Sequence, residues 1–374
     1  MADKQEAIVI AGGGTGGHLF PAIAVAQEIK NLKPEIRIFF IASKGRMEEQ
    51  ILPRYGFSTL PLKLYGFSGG LTRRLLALVY FMVAVFRLIR IFRGLKVRGV
   101  ICFGGYESVP LVLAARLFRV PVFFQEQNVL WGRSVRLLSV FADRIYCGME
   151  PHPDMPQGKA VITGNPLRKM DTSDEKKKSF CQKYGINLSG FRVLCMGGSL
   201  GARAINEATL NLIHRFNENF FFIWICGKMY YDEYSTRLSE RITERREGWV
   251  RGENFLLLPF FEEMGAIYGI VDIAITRAGA ITLSELVNYS IPSVIIPSPN
   301  VVENHQMYNG LLMAREGAII LLTEERLNLL PEVLLSMIKT PSVIDGMKRA
   351  CQKLKKRDAA RSVAIDVLSR ILSA

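Results

Sequence analysis

The sequence predicts an α/β protein made of two doubly wound domains, and three observations support that reading. The run Ala7-Ile8-Val9-Ile10-Ala11 passes without a spacer into Gly12-Gly13-Gly14-Thr15-Gly16-Gly17-His18, and the chain resumes at Leu19 as a small-residue segment of helical periodicity. That is a strand, a tight turn and a helix start. The pattern returns at Phe191–Met196, followed by Gly197-Gly198-Ser199-Leu200-Gly201-Ala202 and a helical stretch from Ala204. With 374 residues, 49% hydrophobic and 22% charged, the chain is long enough for two cores and too apolar for disorder.

Taken in order, the first glycine turn leads through a helix to a second strand at Ile36–Ala42, a βαβ unit whose crossover implies a parallel sheet. Further strands are expected at Gly99–Cys102, Pro121–Phe124 and Arg144–Cys147, each separated by helix-length sequence. A strand at Ala160–Thr163 and the turn Gly164-Asn165-Pro166 close the first Rossmann-like domain at residues 1–163. The second, residues 164–340, adds strands at Phe220–Cys226, Phe255–Leu258, Ile273–Thr276, Ser293–Pro297 and Ala318–Leu322. Residues 341–374 read as a basic helical tail packing back on the first domain.

The formal charge of +14 is uneven: residues 1–163 carry 21 Lys/Arg against 11 Asp/Glu. Such a field attracts nucleic acid, an anionic membrane or a polyphosphate substrate, and charge alone does not choose among them. Leu75–Phe86 runs twelve residues without a charge, framed by Arg73, Arg74, Arg87, Arg90, Arg93, Lys96 and Arg98. A spanning helix needs about 20 apolar residues, so this run falls short. It suits a helix lying on an anionic bilayer, with Leu75, Val79, Met82 and Phe86 toward the acyl chains and Arg87 and Arg90 at head-group level. The alternative is a crossover helix buried in the domain, and the two coexist if only one side is buried. The six cysteines are widely spaced, with no Cys-x-x-Cys pair, and read as reduced core residues. The polar start runs straight into the first strand, so no signal peptide is expected.

Glycines let backbone N–H groups approach a ligand at the positive end of a helix, which favours an anion. Gly12-x-Gly14-x-x-Gly17 matches the dinucleotide fingerprint, but the end of the second strand reads Ala42-Ser43-Lys44, with no acid for ribose hydroxyls. Lys44 suits a 2′-phosphate, so an NADP-dependent oxidoreductase is the runner-up. His18, at the first turn after the glycines, is the candidate general base. The other histidines lack metal-ligand spacing and no Asp-x-Asp pair occurs, so neither metal nor cofactor is expected. In the second half, Thr276-Arg277-Ala278-Gly279-Ala280-Ile281-Thr282-Leu283-Ser284-Glu285 follows a strand and opens a helix, where Glu285 suits two ribose hydroxyls. A capping box with Thr282 near the N-cap fits the same spacing. Glu303-Asn304-His305-Gln306 is a polar cluster suited to sugar hydroxyls, or an ordinary solvated loop.

Together with Gly104-Gly105-Tyr106, Glu126-Gln127-Asn128, Gly164-Asn165-Pro166-x-Arg168 and Asn304-His305-Gln306, these motifs occur in an order that closely resembles the MurG family, the peptidoglycan N-acetylglucosaminyltransferases. The resemblance runs from Ile8 to about Gly317. It implies a GT-B glycosyltransferase, two Rossmann-like domains facing across a cleft, transferring N-acetylglucosamine from UDP-GlcNAc to the C4 hydroxyl of lipid I. It implies work at the cytoplasmic membrane face as a peripheral protein, with an anionic membrane surface as partner and no nucleic acid. By motif, Glu285 would bind ribose, Ser199 and Arg168 the diphosphate, and the backbone near Phe261 the uracil. Gln306, Ala280 and Asn128 would contact the sugar, with Ile281, Thr282, Leu283 and Ser284 in the same donor segment, and Thr15, Gly16 and Gly17 reaching in from the first loop. His18 would be the base. Two residues depart from the pattern: Gln125, where many members carry histidine, so a titrating role there is lost, and Glu107, an added anion where a small or apolar residue is usual. A basic membrane- or nucleic-acid-binding protein is the non-enzymatic alternative, and it has no use for a second nucleotide-type domain.

Overall fold

The structure is a computed structural model that describes residues 5–43, 46–65, 70–156, 158–198, 200–216, 219–356 and 358–373, apart from the side chains of residues 71 and 302. The chain divides into two units, Met1–Arg168 with Lys356–Ala374, and Lys169–Lys355.

The first unit opens with β1 (Glu6–Ala11), α1 (Gly16–Leu32), β2 (Arg37–Ala42), α2 (Met47–Ile51) and β3 (Ser58–Pro61). It continues through α3 (Leu71–Gly94), β4 (Lys96–Cys102), α4 (Ser108–Leu117), β5 (Val122–Glu126), α5 (Arg133–Leu138), β6 (Arg144–Cys147) and β7 (Ala160–Ile162). The strands pair in parallel in the order β3-β2-β1-β4-β5-β6-β7. The order reverses between β1 and β4, and in such sheets ligands collect outside the strand ends at that switch. Past Glu6, β1 is apolar and buried because both its faces are covered. Ile8 and Ile10 enter one core with Ile23 and Phe40, while Val9 and Ala11 enter the other with Leu88 and Trp131.

The helix α3 runs 24 residues, twice the uncharged run, and Thr72–Gly94 is long and apolar enough to cross a membrane. Its packing argues against crossing. Ala84, Leu88 and Phe92 are buried in the core of the first unit, so one face is already committed to protein. The opposite face carries Leu75, Val79, Met82 and Phe86 at 55%, 58%, 45% and 64% exposure. The buried-crossover reading therefore holds for one side, and the other side is an exposed apolar face.

The second unit begins with α6 (Asp174–Tyr184), β8 (Phe191–Met196), α7 (Arg203–Arg215), β9 (Phe220–Ile225), α8 (Tyr231–Arg237), β10 (Ile242–Arg246), β11 (Trp249–Gly252) and β12 (Phe255–Leu258). There follow α9 (Met264–Tyr268), β13 (Ile273–Thr276), α10 (Ala280–Asn288), β14 (Ser293–Ile295), α11 (His305–Arg315), β15 (Ile319–Leu321), α12 (Leu330–Lys339) and α13 (Pro341–Leu354). The sheet order is β10-β11-β12-β9-β8-β13-β14-β15, with the switch between β8 and β13. The antiparallel edge pair β10 and β11 escapes a reading by apolar runs, because β10 is Ile-Thr-Glu-Arg-Arg. Charge on an edge strand blocks further pairing. The short edge strand β3, which ends in proline, escapes for a similar reason.

The tail divides between the two units. α13 stays with the second, and α14 (Ala359–Leu372) returns to the first, where Val363, Ala364, Val367 and Ile371 join the core beneath α1. Tyr146 Oη donates to Asp366 Oδ2 at 2.6 Å, and Arg98 Nη2 donates to the Ile371 carbonyl at 2.6 Å. Ile371→Ala is expected to cost about 2–5 kcal/mol, the usual range for such a truncation, read as a lowered melting temperature of the first unit. All six cysteines are buried and unpaired, and burial pushes the Cys102 and Cys195 thiols up to about 12.

Candidate active site

In the first unit three loops meet at the carboxyl ends of β1, β4 and β5. The turn after β1 delivers His18 in the first turn of α1, whose N-cap is Thr15. His18 Nδ1 lies 3.5 Å from Thr15 Oγ1, and a Cβ on Gly104 would stand 3.1 Å from His18 Nε2. Gly104 has φ +100°, a backbone that side-chain-bearing residues rarely adopt, and a Cβ there would crowd the half-buried imidazole. Pro21 lies inside α1 and has no N–H for the Gly17 carbonyl, which keeps that carbonyl without its helical donor.

Glycines of this loop and of the turn after β4 make room for acids. A side chain at Gly13 would strike Glu48 Oε1 at 2.7 Å, and one at Gly105 would strike Glu107 Oε2 at 2.6 Å. Glu48, buried on α2, accepts from Gly14 N at 3.3 Å through Oε2 and from Ser43 N at 3.3 Å through Oε1. An internal carboxylate thus holds an amide that a phosphate would otherwise use. This weakens the NADP reading. Lys44, on which that reading leaned, lies outside the described residues.

After β5, the buried Glu126 closes its own loop: Oε1 accepts from Asn128 N and Asn128 Nδ2, both at 3.0 Å, and Oε2 accepts from Gly132 N at 2.9 Å. Burial pushes its carboxyl above the usual range, against the pull of these amides. Gln125 sits in a buried amide chain, donating to Asn165 Oδ1 at 3.1 Å and accepting from Gln127 Nε2 at 2.8 Å. The glutamine that replaces a histidine is therefore a structural link. Arg168 closes the unit, its guanidinium 3.8 Å from the Phe20 ring centroid and Nη1 donating to Tyr55 Oη at 3.1 Å.

In the second unit the glycine turn after β8 interlocks with the turn after β9. A Cβ on Gly201 would fall 2.1 Å from the Cys226 carbonyl oxygen, and one on Gly227 2.6 Å from that of Leu200. Ser199 lies outside the described residues. The turn after β13 ends at Gly279, the N-cap of α10, which makes no side-chain capping bond. The first-turn N–H groups of Ala280, Ile281 and Thr282 have no carbonyl within the helix to bond. Thr282 is three residues inside rather than at the cap, so the capping box does not form. Glu285 stands further along, its Oε2 accepting from Tyr268 Oη at 2.8 Å, and Tyr268 stacks on Tyr289 at 5.3 Å.

Past β14, Gln306 Oε1 accepts from Ser298 N at 2.9 Å. Just before α11, Glu303 and Asn304 both adopt left-handed backbone, φ 55° and 51°. A non-glycine residue there costs about 1–3 kcal/mol and such strain gathers at functional sites. Phe261 packs edge-on against Phe180 at 5.2 Å, which fixes the backbone that follows β12.

The family models match both halves: the glycosyltransferase family 28 N-terminal domain over residues 8–147 and its C-terminal domain over residues 192–363. The chain belongs to glycosyltransferase family 28. It is 34% identical over 360 residues to the UDP-N-acetylglucosamine--N-acetylmuramyl-(pentapeptide) pyrophosphoryl-undecaprenol N-acetylglucosamine transferase of Caldanaerobacter subterraneus subsp. tengcongensis, spanning 95% of this chain and 97% of that protein. The Bacteroides fragilis protein of the same name is 34% identical over 96% of this chain and 94% of its own. The crystal structure of Acinetobacter baumannii MurG superposes with a TM-score of 0.74 at 25% identity, covering 97% of this chain and 99% of that one. The family 28 chain is thus an enzyme, a hexosyltransferase of the GT-B class built on two Rossmann-like domains.

For this family 28 enzyme some expected contacts need amendment. Leu283 is fully buried and its N–H bonds the Gly279 carbonyl at 2.9 Å, so it offers a ligand neither side chain nor amide. Ser284 lies past the first turn and is half-buried. Arg277, in the same motif, is a strap: it donates to the Ile296 and Pro297 carbonyls at 3.2 Å each and pairs with Glu324. Glu48 and Tyr268 are residues that motif spacing does not reveal. Glu48 sits 34 residues from Gly14, and only the β1–β2 pairing brings them together.

Proposed function

We propose that this enzyme transfers N-acetylglucosamine from UDP-GlcNAc to the C4 hydroxyl of the muramyl sugar of lipid I, giving lipid II, with His18 as general base. The reading rests on one observation: each unit brings a glycine turn to its own sheet switch, with His18 at one and Glu285 at the other. The acceptor hydroxyl gives its proton to His18 as its oxygen bonds the anomeric carbon. The bond from that carbon to the diphosphate oxygen breaks, and UDP leaves with the electron pair. No covalent intermediate is needed, and the configuration inverts.

Within this reading Glu285 accepts the ribose hydroxyls, and Ser199 with Arg168 meets the diphosphate. Arg168 has five N–H donors and uses one on Tyr55. Helix N-termini and backbone amides take up leaving-group charge as it develops. Ala280, Gln306 and Asn128 contact the sugar, the backbone at Phe261 the uracil, and Thr15, Gly16 and Gly17 line the acceptor side. Mixing the protein with radiolabelled UDP-GlcNAc and a lipid I analogue should move label to the lipid-linked product; label released only as free sugar would refute the transfer.

The enzyme works as a peripheral protein on the cytoplasmic membrane face, with α3 as the contact. A lipid-pyrophosphate acceptor accounts for a basic excess concentrated in the first unit. Arg87 and Arg90 are exposed beside the apolar face of α3. Each basic residue near an anionic surface contributes about 1 kcal/mol. Arg87→Glu/Arg90→Glu/Arg93→Glu should therefore leave anionic vesicles in a flotation assay while its circular dichroism stays unchanged; retention on the vesicles would remove α3 as the contact.

A further inference from the structure

Glu107 is the acid that departs from the family pattern, and its surroundings give it a use. It is 2% exposed at the start of α4, and its Oε1 has no hydrogen-bond partner among the described residues. Its other oxygen fills the space a side chain at Gly105 would take, and a Cβ on Gly14 would stand 4.0 Å from Oε1. The carboxyl therefore lies against the underside of the loop that carries His18. The titratable and charged groups facing it, among the described residues, are Glu48 and Arg46 from the α2 segment and Tyr106 beside it, with His18 beyond Gly104. Arg46 is partly spent, its guanidinium 5.4 Å from the Tyr106 ring centroid.

The Glu48 carboxylate accepts from two backbone amides. Glu107 has an oxygen with no donor, in a closed space, beside that charge. An unpartnered oxygen is tolerable on a neutral acid and costly on a carboxylate. Burial first, and then the Glu48 charge, raises the Glu107 carboxyl above its ordinary value, with a hydrogen bond from its own backbone N–H and the Arg46 charge opposing.

We propose that Glu107 is a positioning residue for the acceptor that acts as a neutral acid, keeping a single negative charge beneath the first glycine loop so that a pyrophosphate-bearing acceptor can seat. This rests on the acceptor assigned above. Ionising Glu107 doubles the charge under the loop and repels the acceptor without touching the donor.

The test is the acceptor KM against pH for the wild type and Glu107→Gln, with donor KM as internal control. In the wild type the acceptor KM should climb with pH, approaching about tenfold per unit once Glu107 has lost its proton. In Glu107→Gln it should stay flat, equal to the wild type at low pH and lower at high pH, with donor KM unchanged in both. Isotope-edited infrared spectra at neutral pH should show a neutral carboxyl band in the wild type that Glu107→Gln lacks. Stability should follow the same sign. The unfolded carboxyl ionises above about 4.3 while the folded one keeps its proton, so wild-type stability falls as pH rises through the folded value and the variant's does not. Transfer with a flat wild-type acceptor profile, or a profile unchanged by the substitution, would overturn the role alone. Absence of transfer at every pH in both proteins would overturn the assigned acceptor and this role with it.

Discussion

His18→Ala is expected to lower kcat by about 10²–10⁴-fold, the range for losing a general base, while the dissociation constant of UDP-GlcNAc stays at its wild-type value. The split follows from location: His18 belongs to the first unit, whereas the candidate donor residues other than Arg168, Asn128 and the first loop belong to the second. Single-turnover rates and calorimetric titration of the donor measure the two quantities separately, and an unaltered rate would remove His18 as base. A second variant tests the position rather than the group. Gly104→Ala keeps the imidazole but sets a methyl 3.1 Å from its Nε2, on a backbone at φ +100° that alanine rarely adopts. It should lose turnover with the base still present.

What could be read from residues alone follows from where the pattern is local. The buried parallel strands declare themselves because both faces are apolar, as with Phe220–Ile225, whose six residues are all buried. The glycine turns are legible because a turn between strand and helix is a local event. The crowding behind the first loop is hidden for the opposite reason. Its Gly13 faces a carboxyl from another element, and nothing in a five-residue window distinguishes a glycine that admits a phosphate from one that admits Glu48. The same limit hid Tyr268, which reaches Glu285 from a different helix. The length of α3 was underestimated because Arg73, Arg74, Arg87, Arg90 and Arg93 interrupt its apolar run. Long basic side chains at the rim of an apolar face do not end a helix; they lie along it with their charges outward.

Glu285→Ala should raise the donor KM by roughly 100-fold, with a smaller change in kcat. Two hydrogen bonds from ribose hydroxyls to an ionised carboxylate contribute about 1.5 kcal/mol each at the low end, and about 3 kcal/mol corresponds to that factor. The competing explanation for a glutamate at this place was helix capping, which predicts lost stability and unchanged donor affinity. The structure separates the two before any assay: α10 is capped at Gly279 without a side-chain bond, and Glu285 instead takes the Tyr268 hydroxyl at 2.8 Å. Tyr268→Phe then becomes the discriminating partner. It keeps the ring stacked on Tyr289 and removes only the hydroxyl, so the carboxylate loses its orientation but not its charge. The donor KM should rise in Tyr268→Phe by less than in Glu285→Ala, and the double variant should be no worse than Glu285→Ala alone, because the hydroxyl acts only through the carboxylate. Additive losses in the double variant would mean that Tyr268 meets the nucleotide directly, and a normal donor KM in Glu285→Ala would withdraw the ribose contact altogether.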